Sequence, residues 1–310
     1  MNEGAVFDSE WLDLREPLDH RSRAPELLSL LRGWWKHRIR PAPHHGSGSE
    51  SRERRVGRIL DLGCGTGSHL RYLAPLLPGS QRWTLVDQDP DLLARVEAPT
   101  LAGGPNRGVV EVEKVSRDLA EDLSDLLRGA DLVTGSALLD LVSRPWVENL
   151  ADLCGAVGAG AYFSLTYDGD FRWYRDPARR EPMEDPGDEA VRRAVNAHQR
   201  RQKGFGPALG PDAAPEAARA FGEAGYRTWL RPSPWILGPG DADVAFLLTD
   251  GWEAAASEAR PEMREEFRTW ADHRRRAIRR SAFGLTVGHL DLLALPEGRG
   301  DGTRPRGSTS

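Results

Sequence analysis

The segment from Asp61 to Gly67 combines residue types that can bind a ligand through the backbone. Its sequence, Asp-Leu-Gly-Cys-Gly-Thr-Gly, follows a short apolar run and precedes an amphipathic stretch that begins at Ser68. Three glycines at alternate positions leave no side chain between the chain and a ligand, so the backbone can approach the ligand closely. A dinucleotide-binding loop would need its third glycine at position 68, which is serine here. The loop therefore disfavours a pyrophosphate.

A second carboxylate, Asp87, ends the next apolar run, 20 positions after Gly67. The local sequence over 85–90 is Leu-Val-Asp-Gln-Asp-Pro. A carboxylate can accept hydrogen bonds from the two neighbouring hydroxyls of a ribose, whereas it would repel a 2′-phosphate. Asp87 could therefore bind two neighbouring hydroxyls of a ligand.

Together the glycine loop and Asp87 resemble the first two motifs of class I S-adenosylmethionine (SAM)-dependent methyltransferases, and the resemblance covers roughly residues 56–168. It implies SAM as the cofactor, with the methionine part of SAM against the glycine loop. The segment 135–138 would lie beneath this methionine part. The resemblance also implies that the hydroxyls bound by Asp87 are those of the ribose, and that Asp118 accepts from the adenine amino group, although an N-cap before Leu119 explains Asp118 equally well. The resemblance assigns the following residues to cofactor binding: Asp61, Gly63, Cys64, Gly65, Gly67, Asp87, Gln88, Asp118, Leu119 and Ser136.

The elements that must position these residues follow from the hydrophobic pattern. From residue 56 onward, short apolar runs alternate with helical stretches, which is typical of β-α-β units and a parallel sheet. Strands are predicted near 57–62, 82–87, 109–114, 131–135, 160–167, 226–231 and 285–295. Helices are predicted near 67–76, 90–97, 120–128, 145–157 and 213–224. With the resemblance, the predicted fold class is α/β, a doubly wound, Rossmann-like, seven-stranded methyltransferase sheet with an N-terminal helical cap and helical insertions.

The predicted organisation has four parts. Residues 1–40 form the helical cap, divided into two short helices by Pro17 and Pro25. Residues 41–55 hold no apolar side chain larger than alanine and are predicted to be a flexible linker. The methyltransferase domain spans 56–295, with insertions at 170–215 and 242–280 as substrate lids and with 170–215 outside the sheet core. A disordered tail is predicted over 296–310.

Candidate catalytic residues come from segments able to cover the carboxyl edge of the sheet, where ligands of open parallel sheets bind. His198 and Lys203 lie in the first insertion, beside a flexible Gly-Phe-Gly. His198 could act as a general base, although a solvated helix position also explains it. Asp140 follows the fourth strand and Tyr167 ends the fifth. Methyl transfer from a sulfonium needs no base in principle, because the leaving group is already activated and proximity lowers the barrier.

Three other groupings admit a functional and a structural interpretation. The segment 14–19 carries Arg15, Glu16 and Asp19, which could contact a ligand or simply begin a helix. The pair His289 and Asp291 could suggest a metal site, but no third ligand accompanies it, so a structural hydrogen bond is favoured and no metal is predicted. The basic run 274–280 indicates a solvated helix face or an RNA-binding surface.

Composition limits the function classes. The 310 residues carry 42 Lys and Arg against 47 Asp and Glu, a net charge of −5, so no overall attraction to nucleic acid or an anionic membrane is expected. Only Lys36, Lys114 and Lys203 are lysines. No uncharged stretch has the length of a membrane-spanning helix, and no secretory signal is recognised. Two cysteines, Cys64 and Cys154, suit a reducing compartment, so a cytoplasmic location is expected.

The predicted function is methyl transfer from SAM to an oxygen or nitrogen atom of a small-molecule acceptor, because predicted lids on three sides indicate an enclosed pocket. Two alternatives stay open. One is methylation of RNA or protein through the basic run 274–280, and the other is a non-catalytic SAM-binding protein with a regulatory role.

Overall fold

The structure is a computed structural model that describes residues 9–40, 55–100, 108–176 and 180–297. Most of the predicted linker 41–55 and tail 296–310 therefore lies outside the described residues. The strands within these ranges form one sheet. Their bounds are β1 Gly57–Leu62, β2 Gln81–Asp87, β3 Val110–Ser116, β4 Leu132–Ser136, β5 Gly160–Asp176, β6 Glu181–Pro182, β7 Tyr226–Pro232, β8 Trp235–Leu237 and β9 Gly284–Pro296.

The helices alternate with these strands. Their bounds are α1 Ser9–Ser22, α2 Pro25–Arg38, α3 Ser68–Leu73, α4 Pro90–Ala94, α5 Ser124–Leu127, α6 Arg144–Val157, α7 Asp188–Gln199, α8 Ala213–Glu223, α9 Ala242–Ala259 and α10 Arg264–Arg279. Helix α3 passes directly into a 3-10 turn, Ala74–Leu76, so nearly all of the predicted range 67–76 is helical, whereas α4 and α5 are shorter than predicted. Among the described segments, no helix combines the length and apolar character that a bilayer crossing requires.

The strand order is β3-β2-β1-β4-β5-β9-β7, with β6 paired to β5 and β8 paired to β9. Strands β1 to β5 are parallel to their neighbours in this series, and β9 is antiparallel to both β5 and β7. The seven-stranded, doubly wound sheet is thus confirmed, and two short strands extend it. The chain winds in opposite directions from β1 and from β4, so a crevice forms outside their carboxyl ends.

Alternate residues of the central strands bury opposite faces of the sheet, as a side-chain period of two requires. In β1, Ile59 joins one apolar cluster and Leu60 the other. The cluster with Ile59 includes the buried side chains of α2 and α3, and the cluster with Leu60 includes those of α6 and α8. Burial on both faces therefore fixes the central sheet, and α2 of the N-terminal cap is part of its core.

The prediction that 170–215 lies outside the sheet core is wrong for its first residues. Strand β5 continues to Asp176, and Phe171 and Trp173 pair with Val287 and Leu285 of β9. Phe171 and Trp173 are buried, while Arg172 between them is exposed. The two aromatic rings face a third apolar cluster, formed with α7, α9 and α10, which holds these helices over the end of the sheet.

The break in the N-terminal cap also differs from the prediction. Pro17 lies inside α1, and the chain turns only at Ala24, whose φ of −74° and ψ of 108° are extended. Ala24 precedes Pro25, and a residue before proline is sterically pushed out of helical geometry. Pro25 alone therefore separates the two helices. The turn is anchored because the Ala24 amide donates to Asp291 Oδ2 at 2.9 Å.

Candidate active site

The glycine loop lies at the carboxyl end of β1 and is tied to the end of β2. Gly63, Gly65 and Gly67 have φ values of 63°, 53° and 82°, a left-handed backbone that favours glycine. The Cys64 amide donates to the Val86 carbonyl at 3.0 Å, and the Gly65 amide donates to Asp87 Oδ2 at 2.7 Å. The two predicted motifs are therefore in direct contact.

A cavity of about 580 Å³ opens above this loop, within the range of 300–1,000 Å³ typical of ligand pockets. Seven residues assigned to cofactor binding line it: Gly63, Gly65, Asp87, Gln88, Asp118, Leu119 and Ser136. Added Cβ atoms would meet side chains at both lining glycines, at 3.3 Å from Leu138 for Gly63 and at 3.2 Å from Leu12 for Gly65. A side chain at either glycine would therefore narrow the space that the loop leaves for a ligand.

The other three residues assigned to the cofactor do not line the cavity. Asp61 is fully buried and accepts a hydrogen bond from Thr134 Oγ1 at 2.7 Å. Cys64 is buried, and burial raises the pKa of its thiol well above the ordinary value. Gly67 lies where an added Cβ would come within 3.2 Å of Val96. These three residues therefore pack beneath the loop, on the side away from the cavity.

Asp87 is a carboxylate held in place by backbone amides. Its Oδ1 accepts from the Asp89 amide at 3.0 Å, while its Oδ2 accepts from Gly65. Burial raises the pKa of Asp87 above its ordinary value, and the two amide bonds oppose this rise. Each carboxylate oxygen has a second lone pair, so a fixed Asp87 can still accept from two ligand hydroxyls.

Asp118 does not cap a helix, because α5 begins only at Ser124. Its Oδ1 accepts from the Ala120 amide at 2.8 Å, the local bond expected of a turn aspartate. Asp118 also lines the large cavity, as does Leu119. The turn therefore fixes the carboxylate at the cavity wall.

A second, smaller cavity of about 240 Å³ adjoins the first. Arg15, Ala137, Leu141 and Lys203 line both. The smaller cavity is walled by the rings of Trp11, Trp235, Trp252, Tyr167 and His289. A ligand in it would meet a ligand in the large cavity across the four shared residues.

Three of the four candidate catalytic residues face the smaller cavity, and His198 does not. Asp140, Tyr167 and Lys203 are in its lining. His198 Nε2 instead lies 3.1 Å from Glu258 Oε2 on α9, and His198 lines neither cavity. The structure thus places His198 in a surface ion pair with the opposite lid helix.

Burial sets the charges in the smaller cavity. It raises the pKa of Asp140 to about 6, while the positive charges of Arg15 and Lys203 oppose the rise. It lowers the pKa of His289 to about 3, and the charges of Arg15 and Arg23 lower it further. Burial also raises the pKa of Tyr167 well above its ordinary value, and the Tyr167 hydroxyl donates to Asn196 Oδ1 at 3.1 Å. At neutral pH the histidine is uncharged and Asp140 is largely ionised.

Two backbone positions beside the cavities are strained. Ala137 and Leu165 have φ values of 52° and 55°, a conformation that costs a residue with a Cβ roughly 1–3 kcal/mol. Leu165 lies at a register shift between β5 and β9, and its amide donates to Asp291 Oδ1 at 2.9 Å. Asp291 therefore serves a structural role at the bulge, as its sequence context favoured. Among the described residues, no cluster of three or more candidate ligands could hold a metal ion.

Several residues in or beside the cavities were not assigned to the site from sequence. Trp252 lies in α9 among ordinary helical residues, and no sequence signal marks it. Arg23, beside the α1–α2 turn, is 5% exposed and donates to Ser136 Oγ at 3.2 Å. Its Nε and Nη1 have no hydrogen-bond partner among the residues that the structure describes. The pairing of a buried arginine with a cavity serine makes Arg23 a further candidate for the cofactor's carboxylate.

The basic run 274–280 is only partly a solvated face. Arg274 is 2% exposed, pairs with Asp188 and lies over the ring of Trp173 at 5.1 Å. Arg275 pairs with Glu253 and Asp250 of α9. Both arginines therefore hold α10 against α7 and α9, which disfavours a nucleic-acid surface there.

Comparisons with known proteins agree with this geometry. Residues 59–157 match the family described as a methyltransferase domain, and no curated protein matches the chain. The matched segment contains the glycine loop, Asp87 and the wall from Ser136 to Asp140. The parallel strand order β3-β2-β1-β4-β5 and the glycine loop after β1 agree with that description of the segment.

The solved structures that resemble this chain include the following three. A cyclopropane-fatty-acyl-phospholipid synthase-like protein from Lactobacillus casei is 14% identical, with 95% of this chain and 96% of that chain covered and a TM-score of 0.47. A SAM-dependent methyltransferase from Geobacter sulfurreducens, in complex with S-adenosylhomocysteine, is 18% identical, with coverage of 94% and 99% and a TM-score of 0.40. A similar complex from Thiobacillus denitrificans is 18% identical, with coverage of 93% and 99% and a TM-score of 0.39.

Proposed function

We propose that this protein transfers a methyl group from SAM to an oxygen or nitrogen atom of a small-molecule acceptor. The observation that carries the proposal is the pair of adjoining cavities. The larger one contains Asp87 and the glycine loop, and the smaller one is lined by side chains of α1, α7 and α9 and shares Arg15 and Lys203 with it. This arrangement supports a cofactor and an acceptor bound side by side.

The chain's own residues would act mainly by binding and orienting. Asp87 would accept from the ribose hydroxyls, Asp118 from the adenine amino group, and Gly63 and Gly65 would let the methionine part lie against the backbone. SAM supplies an activated methyl group when bound. Enclosure between α1 and the 203–205 loop would hold the acceptor in line with it, and such positioning can contribute roughly 7–11 kcal/mol.

Asp140 is the residue best placed to take a proton from the acceptor. It lies next to the shared residue Leu141, and its Oδ1 has no hydrogen-bond partner among the described residues. Its pKa of about 6 leaves it largely ionised at neutral pH and still basic enough to accept a proton. His198, paired with Glu258, is not proposed as the base. Lys203 and Tyr167 are proposed to contact the acceptor.

The decisive experiment measures S-adenosylhomocysteine binding by calorimetry, with Asp87→Asn as the variant. Loss of a charged acceptor of two hydrogen bonds should weaken affinity about 10–100-fold. Asp91→Asn, a few residues away on the exposed side of α4, is the matched control and should bind as tightly as the natural protein. Absence of binding by the natural protein, or equal weakening by both variants, would contradict the proposal.

Turnover separates an enzyme from a non-catalytic SAM-binding protein. Incubation with SAM carrying a labelled methyl group and a panel of small hydroxylated, carboxylated and amine acceptors should yield a labelled product together with S-adenosylhomocysteine. Tight binding with no labelled product across the panel would favour the non-catalytic alternative.

A further inference from the structure

We propose that the acceptor is a small aromatic carboxylic acid with a ring hydroxyl, held in the smaller cavity with its acid group near Arg15 and Lys203. This inference rests on the proposed methyltransferase function, because it takes the smaller cavity as the acceptor site. It adds the chemical class of the acceptor, which neither the fold nor the family match specifies.

The size of the cavity limits the acceptor to about one ring. An engineered protein cavity of 150 Å³ holds a benzene molecule, and the smaller cavity here measures about 240 Å³. The additional volume accommodates a few substituent atoms. A long acyl chain or a folded macromolecular segment would not fit within it.

The shape of the walls favours a flat ring. Trp11 and Trp235 meet edge to face, with ring centroids 6.2 Å apart and planes at 64°. Trp252 and Tyr167 complete the aromatic lining, and Leu165 and Val287 add apolar surface. Aromatic side chains prefer edge-to-face or offset contacts with other rings, and each such contact adds about 0.5–1.5 kcal/mol beyond simple burial.

The charges favour an anionic group on the acceptor. The charged groups in the lining are the cations Arg15 and Lys203 and the single carboxylate Asp140, since His289 is neutral. Asp19 accepts from Arg15 Nε at 2.9 Å, while the guanidinium lies 5.7 Å over the Trp235 ring at the cavity wall. An arginine fork and a lysine at one wall suit a carboxylate. A quaternary ammonium or protonated amine would meet two like charges there.

The unpartnered polar atoms favour a hydroxyl as the second polar group. Within the described part of the chain, Asp140 Oδ1, Gln199 Oε1 and Trp235 Nε1 have no hydrogen-bond partner, and all three residues line the cavity. Trp235 is 4% exposed, so its unpaired indole N–H is costly unless a ligand satisfies it. A hydroxyl can donate to Asp140 or Gln199 and accept from Trp235, whereas an ammonium group can only donate.

Binding of small probes to the protein saturated with S-adenosylhomocysteine tests the inference. Calorimetry would compare 2-, 3- and 4-hydroxybenzoate with three relatives that each lack one feature, benzoate, phenol and trans-4-hydroxycyclohexanecarboxylate, and with benzylamine, which carries a positive charge in place of the two polar groups. At least one hydroxybenzoate should bind tenfold or more tightly than all four. The inference is overturned if none of the hydroxybenzoates binds, or if benzoate, phenol, benzylamine or the saturated acid binds within tenfold of the best of them.

Variants at Lys203 assign the acid group. Lys203→Met should reduce the preference for the best hydroxybenzoate over phenol at least fivefold, and Lys203→Arg should restore part of it. Lys36→Met removes the same charge from an exposed position of α2 and is the matched control. An unchanged preference in Lys203→Met would overturn the placement of the acid group.

The same titrations keep this inference separate from the proposed function. Failure of S-adenosylhomocysteine to bind would contradict the methyltransferase proposal itself. Normal binding of S-adenosylhomocysteine with the wrong order of probes would overturn only the acceptor class.

Discussion

Asp140 is a carboxyl group that the fold places where ionisation is unfavourable. It lies in the short turn after β4, its side chain is 9% exposed, and one oxygen lacks a hydrogen-bond partner among the described residues. Its pKa is raised from an ordinary 3.8 to about 6 by burial. In the folded protein Asp140 therefore binds its proton more tightly than in the unfolded chain.

Asp140→Asn should stabilise the ligand-free protein at high pH. With a raised folded pKa, stability is greatest below about pH 4 and falls as pH rises through about 6, where the buried group must ionise. Replacement by a neutral amide removes this penalty, so the free energy of unfolding should rise by about 1–3 kcal/mol at pH 8 and change little at pH 4.

Urea denaturation at the two pH values measures the effect of Asp140→Asn. Asp152→Asn, on the exposed side of α6, provides the control for loss of one carboxylate. Equal stability of Asp140→Asn and the natural protein at pH 8 would show that ionisation of Asp140 does not lower the free energy of unfolding.

At the scale of elements, α1 is the helix that joins the two cavities. Trp11 lines the smaller one, Leu12 lines the larger one, and Arg15 lines both. The helix is held by ion pairs on its outer side, Asp13 with Arg95 at 2.5 Å and Arg21 with Asp241 at 2.6 Å. Surface ion pairs add little stability, so the packing of Leu18 and Trp11 into the third apolar cluster is the main contact that holds the helix.

Glu16 connects α1 to the glycine loop, and its loss should loosen the helix. Arg71 pairs with Glu16 and also donates to the Thr66 carbonyl at 2.5 Å. This contact holds the pKa of Glu16 below its ordinary value, against the opposing effect of burial. Glu16→Gln should weaken S-adenosylhomocysteine binding about threefold to tenfold and speed amide hydrogen exchange over residues 9–22.

Glu26→Gln in the exposed first turn of α2 is the control for Glu16→Gln, since it removes a carboxylate without touching the loop. Both variants would be compared by calorimetry and by hydrogen exchange. If Glu16→Gln leaves affinity and exchange unchanged, α1 is not anchored through Arg71.

The elements were predictable wherever their pattern is local. The strands β1, β2 and β4 are apolar runs flanked by glycine or aspartate, and they agree with the structure to within one residue. The far half of β5 was missed because Arg172 and Asp170 interrupt its aromatic residues, and only the buried face of the strand, seen in three dimensions, explains that alternation. In the same way Pro17 is accommodated inside α1, which a proline rule alone does not anticipate.

The site residues, too, could be predicted only where the sequence feature that marks them is local. Residues 63–89 could be placed from sequence, because a loop, a strand end and their spacing are all local features. Arg15 lies more than 200 positions before Trp235 and Trp252, and the meeting of the three depends on how α1, β8 and α9 pack. Sequence identified His198 by residue type alone, and the structure pairs it with Glu258 away from both cavities.

At the scale of the whole molecule, the helices α7, α9 and α10 beside the smaller cavity pack around an apolar core of their own. Phe171 of β5 stacks on Trp252 of α9, with ring centroids 4.1 Å apart and planes at 13°. Trp252 also packs near Trp270 of α10, at 6.5 Å. This core is separate from the two clusters that sandwich the central sheet. The smaller cavity therefore depends on packing that the larger cavity does not share.

Phe171→Ala should destabilise the protein and damage the smaller cavity selectively. Removal of a fully buried phenylalanine costs about 3–5 kcal/mol, and Phe171→Leu is the milder variant if the alanine protein does not fold. Urea denaturation gives the cost, and Leu247→Ala, 48% exposed on α9, is the control. In the folded variant, affinity for S-adenosylhomocysteine should stay within twofold of the natural value. A parallel loss of stability and of that affinity would contradict the separation.

The wall shared by the two cavities also has a thermodynamic consequence. Because Arg15, Ala137, Leu141 and Lys203 belong to both, a ligand in one cavity changes the surroundings of a ligand in the other. Any factor by which the cofactor alters acceptor affinity must equal the factor by which the acceptor alters cofactor affinity. Helix α1 contributes side chains to both walls, so a ligand in either cavity contacts the same helix. The two sites are therefore expected to fill and empty cooperatively.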